Sequence, residues 1–279
     1  AHEAGVSSGV GRTPLSHELS HFSLTLLLGA LKKGRFDARD PRHLGLLEPL
    51  LPLLQTALRC DADAVVVSAL RALGGMLDFP LPSLPHHASA LLDRTLQLLK
   101  RSSSFKGSEL QAVGLKVITA LLRKPPAAAA ADQGGADGGS AEESAATAVA
   151  EPSGASGALG AAGESAAPTA SGGARLNEPQ LRWLLSFIST HLDDTALQGA
   201  LFGILRVIFA RRFVLAEIYD LVLVLGEHAL QAEAEGVRAT CGNLYLVFLL
   251  HYPLGPKRLQ QHLDFILGNL AYPVAHGRL

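Results

Sequence analysis

Between Asp193 and Tyr272 the chain repeats one rhythm, and that rhythm restricts the fold more than any single motif does. After Asp193-Asp194, a run through Leu201, Ile204, Leu205 and Ile208 has helical spacing and ends in a basic corner, Arg211-Arg212. A second run follows through Ile218, Leu221, Val222 and Leu225, then an acidic turn, Glu233-Ala-Glu235-Gly236. A third run, from Val237-Arg238 through Leu244, Val247 and Phe248, is stopped by His251-Tyr-Pro-Leu-Gly-Pro256, and a fourth begins near Lys257. Amphipathic helix, acidic turn, second helix and proline-rich corner recur at roughly 40 residues, the period of a helical-pair repeat. The expected fold is all-α, an α-solenoid.

Upstream the same rhythm predicts a helix over Leu15–Lys33 with Ser16 as its N-cap, a charged loop over Gly34–His43, and a helix over Leu44–Cys60 shortened or kinked by Pro49 and Pro52. Asp61-Ala-Asp63 reads as a turn and cap before Ala64–Phe79, whose inner face is Val66, Leu70, Leu73 and Leu77. After Pro80, Pro82 and Pro85 comes a further pair, His86–Arg101 and Ser108–Lys124, with faces at Leu91, Leu92, Leu96, Leu99 and at Leu110, Val113, Val117, Leu121. Asp78-Phe-Pro80-Leu81 and His251-Tyr-Pro253-Leu254 each close the second helix of a pair, an internal repeat in letters as well as in period. Asn177 is an expected N-cap with Pro179 in the first turn, ahead of the face Leu181, Leu184, Ile188, Leu192.

Two stretches lack this pattern. Residues 1–13 are rich in Gly and Ser and are expected to be disordered. Residues 125–174 collapse to Ala, Gly, Ser and Glu, with too little apolar surface to offset the entropy of ordering, and read as a disordered low-complexity insertion. Loop-closure cost grows only logarithmically with length, so a solenoid tolerates such an excursion. The expected organisation is therefore repeats over 14–124 and 175–279 around that insertion.

Composition supports helix-on-helix packing. Hydrophobic residues make up 48% of the chain and aromatics only 5%, whereas a β-sandwich would draw more on β-branched and aromatic side chains. A net charge of −1 gives no global field toward nucleic acid or an acidic membrane. Cys60 and Cys241, the only cysteines, sit in different helical patterns and read as core thiols in a reducing compartment. No apolar run reaches the roughly 18–20 residues of a membrane span. Phe22–Leu31 has the length of a signal-peptide core but follows His17, Glu18 and His21 where a basic region belongs. The absence of an initiator Met and the close on Gly277-Arg278-Leu279 lead us to expect a piece of something longer.

Second helices are expected to start with an acid after the turn (Asp61, Asp193, Glu235), which suits the positive helix N-terminus, and Val237-Arg238-Ala239 follows Glu235 as in HEAT-type, armadillo-like repeats. Two stretches carry a more specific likeness. Arg71-Ala-Leu-Gly-Gly-Met-Leu-Asp-Phe-Pro-Leu-Pro-Ser-Leu84 and His251-Tyr-Pro-Leu-Gly-Pro-Lys-Arg-Leu-Gln-Gln-His-Leu-Asp-Phe-Ile-Leu-Gly-Asn-Leu-Ala-Tyr272 resemble the C-terminal half of the down-regulated-in-metastasis family, the U-three small-nucleolar-RNA-associated protein twenty family of very large helical-repeat proteins. The likeness covers about Leu44–Lys124 and Asn177–Tyr272. After Tyr272 the chain departs from it: Pro273-Val-Ala-His stands before Gly277-Arg278, where the family has an acidic residue.

The resemblance implies a non-catalytic scaffold of the small-subunit processome, acting in ribosomal small-subunit RNA processing and ribosome biogenesis in the nucleolus, within the nucleus. Its implied partners are other processome proteins, with pre-ribosomal RNA and small nucleolar RNA in the same particle. No cofactor, membrane or small-molecule substrate is implied, and no catalytic or metal-binding residue carries over.

Other function classes remain in view. A solenoid of another kind would be a transport-receptor-like array or a kinase scaffold. His17-Glu18-Leu19-Ser20-His21 matches H-E-x-x-H, in which two imidazoles one turn apart hold zinc and the Glu activates water; no third ligand stands at the metzincin spacing, and Glu48 is a distant candidate. Gly5-Val-Ser-Ser-Gly9 matches the nucleophile-elbow pattern without the strand and helix it requires. The candidate contacts to RNA phosphate are cations near helix ends: Lys100, Arg101, Lys106, Arg211, Arg212, Lys257 and Arg258. Cations at those places also complement the helix dipole.

Overall fold

The computed structural model describes residues 14–102, 109–124 and 174–270. The expected disordered N-terminus, the insertion up to residue 173, Lys106 and the residues after Leu270 lie outside this range. Among the described residues every regular element is a helix: α1 (Pro14–Lys32), α2 (Pro41–Leu47), α3 (Leu50–Ala57), α4 (Asp63–Met76), α5 (Leu84–Ser102), α6 (Glu109–Arg123), α7 (Glu178–His191), α8 (Gln198–Ala210), α9 (Ala216–Gln231), α10 (Glu235–His251) and α11 (Pro256–Leu270). None of these helices is long and apolar enough to cross a membrane.

Proline sets several of the boundaries. Pro14 opens α1, where its missing amide is one the helix leaves unpaired in any case, so Ser16 lies inside the first turn and is not the N-cap expected from sequence. Gly34, at φ 63°, closes that helix: its own amide donates to the Leu31 carbonyl at 3.1 Å and the Arg35 amide to the Ala30 carbonyl at 3.1 Å. Pro49 splits the expected Leu44–Cys60 helix into α2 and α3, because it brings no amide and its ring crowds the preceding turn. Pro52 falls in the first turn of α3 and is accommodated there. Asn177 caps α7 as expected, in a reciprocal box: its side chain accepts from the Gln180 amide and the Gln180 side chain accepts from the Asn177 amide, both at 2.9 Å.

The expected apolar faces meet in two layers. In one layer α4 packs on α1 and α6, α6 packs on α8, and α8 packs on α10. In the other, α3 packs on α5 and α7 on α9, while α3 joins α4, α5 joins α6 and α9 joins α10 across the layers. One continuous core of leucine, isoleucine and valine runs from Leu47 to Tyr252. It includes Cys60 and Cys241, both buried free thiols; burial pushes the Cys241 thiol up to about 11. The contact of α6 with α8 closes the stack across residues 125–173. Ala174, expected to end the insertion, is instead buried.

Both end faces of the stack are apolar and uncovered by any described residue. Leu19, Phe22, Leu26, Leu46 and Leu53 are exposed at one end, and Leu246, Leu250, Leu259, Leu263 and Leu267 at the other. A helical pair cannot bury its whole apolar surface alone, and stacking on neighbours is what stabilises this architecture.

Candidate functional site

The C-terminal ends of α4, α6, α8 and α10 lie at one edge of the first layer, and each of the first three is held by a side chain from the end of the next. The Lys124 ammonium, just after α6, donates to the Phe79 carbonyl after α4 at 2.9 Å. The Arg211 guanidinium, just after α8, donates to the Lys124 carbonyl at 2.9 Å and to the Ala174 carbonyl at 3.2 Å. The Tyr252 hydroxyl, just after α10, donates to the Ile208 carbonyl of α8 at 3.4 Å. Helix ends leave carbonyls without intrahelical partners, and a cation there also favours the dipole. Burial lowers the pKa of Lys124, partly opposed by the Asp78 carboxylate. Burial lowers that of Arg211 too, helped by the Arg175 charge, and burial raises that of the Tyr252 phenol. The repeated aromatic-Pro-Leu corner thus supplies two links of this ladder, Phe79 as acceptor and Tyr252 as donor.

The ladder takes up one of the expected phosphate contacts. Arg211 is half-buried and spends its donors on two carbonyls. The other expected contacts do not converge. Lys100, at the end of α5, lies 5.3 Å from the centroid of the Trp183 ring. Arg101 pairs with Asp63 at 3.1 Å and Asp61 at 3.9 Å. Arg258 stacks 3.7 Å over the Tyr219 ring, and Lys257 is exposed beside it on α11.

Arg212 differs. Its side chain is exposed and has no hydrogen-bond or ion-pair partner among the described residues, and its φ is 52°, the left-handed conformation that follows the α8 C-cap. An L-residue with a Cβ pays about 1–2 kcal/mol there relative to glycine.

Arg212 lines a groove of about 390 Å³ between α8 and α10, with Arg206, Ala210, Asn243, Val247 and His251. An adjoining groove of about 340 Å³ between α6 and α8 is lined by Leu122, Arg123, Arg206, Val207, Ala210 and Arg211. Arg206 and Ala210 form the ridge common to both. Neither lining contains an Asp or Glu. Arg123 and Arg206 are exposed and, like Arg212, unpartnered among the described residues. Sequence reasoning missed Arg123 and Arg206 because they lie on different helices, far apart in the chain; only the stacking of α6 on α8 brings them to one groove.

The H-E-x-x-H segment lies on α1. The His21 Nδ1 sits 2.9 Å from the Ser68 hydroxyl of α4, an interhelical contact, and Glu18 is exposed. Glu48, its distant third candidate, caps α5 instead, accepting from the Ser83 amide at 3.1 Å and from the Ser83 hydroxyl. Among the described residues no three His, Cys, Asp or Glu side chains are grouped so as to hold a metal ion.

Two curated proteins are similar to the chain. U3 small nucleolar RNA-associated protein 20 of Schizosaccharomyces pombe (strain 972 / ATCC 24843) is 33% identical over 104 residues, 37% of this chain and 4% of that protein. U3 small nucleolar RNA-associated protein 20 of Saccharomyces cerevisiae (strain ATCC 204508 / S288c) is 23% identical over 266 residues, 95% of this chain and 8% of that protein. The chain thus spans less than a tenth of the length of these relatives. No protein-family model matches it. The likeness read from the two quoted stretches is borne out, and the chain is related in sequence to these proteins.

Proposed function

We propose that the chain is a stacked segment of a non-catalytic helical-repeat scaffold of the small-subunit processome, acting in ribosome biogenesis in the nucleolus. The observation that carries this reading is the similarity over 95% of the chain to a protein whose name states its association with U3 small nucleolar RNA. The architecture agrees with it. Two layers of helices present long faces, and the uncovered apolar ends suit stacking on further repeats of the same polypeptide. Work of this kind is architectural: many weak contacts along an extended surface hold protein and RNA partners in register.

The test is immunoprecipitation of the tagged protein from cell extract, probed for U3 small nucleolar RNA, with imaging of the same tag. Recovery of U3 RNA above an unrelated abundant RNA, with nucleolar signal, is the expected result. A cytoplasmic or nucleoplasmic signal without U3 enrichment overturns the reading.

A further inference from the structure

We propose that the two adjoining grooves along the ends of α6, α8 and α10 form a docking track for an RNA sugar-phosphate backbone, gripped by Arg123, Arg206 and Arg212. The proposal deepens the reading above by naming the partner-binding surface, and rests on it for the choice of RNA as the polyanion.

The chain employs several of its other cations differently. It has 24 Lys and Arg against 25 Asp and Glu, so a surface free of acids is not its average condition. Arg71 pairs with Glu109, Arg101 with Asp61 and Asp63, and Arg182 with Glu178 and Glu217, while Lys124 and Arg211 cap helix ends. Arg123, Arg206 and Arg212 escape all of these uses and line two grooves that share a ridge and hold no carboxylate. Lys116, exposed two turns before Arg123 on α6, extends the cationic line.

Arginine suits this role because its planar fork matches phosphate oxygens in pairs. The left-handed backbone at Arg212 adds an independent observation: a residue without a Cβ would rest there unstrained, yet a long cation occupies the place and opens into the groove. Phe209, the one Phe, Tyr or Trp of the linings, is buried in the floor, and the His251 imidazole is exposed. No exposed Phe, Tyr or Trp lines the grooves to form a stacking platform, so the arginines direct recognition chiefly to the backbone, independent of sequence.

The test uses the purified protein and a labelled single-stranded RNA of mixed sequence, titrated at several salt concentrations. The triple variant Arg123→Gln, Arg206→Gln, Arg212→Gln is compared with Lys33→Gln, Arg39→Gln, Arg42→Gln, which removes the same charge from exposed positions away from the grooves. Circular dichroism checks that both stay folded. The groove variant is expected to bind at least about tenfold more weakly, with the slope of log affinity against log salt falling by about 2, since each single-strand phosphate contact contributes about 0.7. The control is expected to keep most of the affinity and slope. Equal loss in both variants, or no loss in the groove variant, overturns the proposal. So does competition by polyglutamate as effective as that of unlabelled RNA, which would make the groove a site for acidic protein. The two readings fail separately: RNA binding through the groove by a protein that does not recover U3 RNA from cells would sink the processome reading and leave the track standing.

Discussion

At the scale of single residues, Arg211 and Arg212 show how adjacent letters of the same type do opposite work. Arg211 satisfies the carbonyls of Lys124 and Ala174 in a half-buried site, so Arg211→Met should lower unfolding stability in urea by about 1–3 kcal/mol. Arg212→Gly should raise it by about 1 kcal/mol by relieving the left-handed strain, while weakening RNA binding. A variant pair in which both substitutions moved stability the same way would contradict this division. His262 gives a pH signature. Its ring is buried, with Nδ1 at 2.9 Å from the Tyr245 hydroxyl, and burial and then the Arg258 charge hold its pKa below the ordinary value. The unfolded chain therefore binds the proton more readily, titrating at about 6.5. Stability from this group is present above that value and is lost as pH falls through it toward the folded value. His262→Gln should flatten that part of the stability–pH curve; an unchanged curve would count against the assignment.

At the scale of elements, the helices were legible wherever an apolar face of period 3.6 met a proline or an N-cap. The faces of α4, α5, α7, α8 and α9 are buried as the spacing predicts, and Asn177 caps α7. Replacing Asn177 by Ala should cost about 1 kcal/mol, read from chemical denaturation. What misled the sequence reading was acid placement. Asp193 was expected to open a helix, but α8 starts at Gln198 because Asp194 is spent in the turn, accepting from the Ala196 amide at 3.0 Å through its side chain and from the Gln198 amide at 3.0 Å through its carbonyl. The seating of α11 on α9 was not legible either, because it depends on a missing side chain. A Cβ at Gly226 would stand 2.9 Å from the Phe265 ring and 3.2 Å from the Tyr245 ring. Gly226→Leu should overpack this contact and cost about 1–3 kcal/mol in thermal or urea unfolding. A neutral result would mean that α11 is not seated there.

At the scale of the whole molecule, the periodicity announced the two-layer stack, and the likeness of Arg71–Leu84 and His251–Tyr272 announced the relatives. The grooves were hidden, since a line of cations drawn from α6, α8 and the turn after α8 is a property of the stacking and not of any stretch of sequence. The same stacking explains the ladder of helix ends: each repeat completes the hydrogen bonding of the one before it, so neighbouring repeats are coupled through polar as well as apolar contacts. The role proposed for this stack is that of a structural part of a pre-ribosomal particle. The measurement that tests it most directly is gradient sedimentation of the tagged protein from cells, with RNA crosslinked in vivo and identified in each fraction. Co-migration with large pre-ribosomal particles, with crosslinks to precursor ribosomal RNA or U3 RNA, is the predicted result. Slow sedimentation as a free protein, without such RNA, would contradict it.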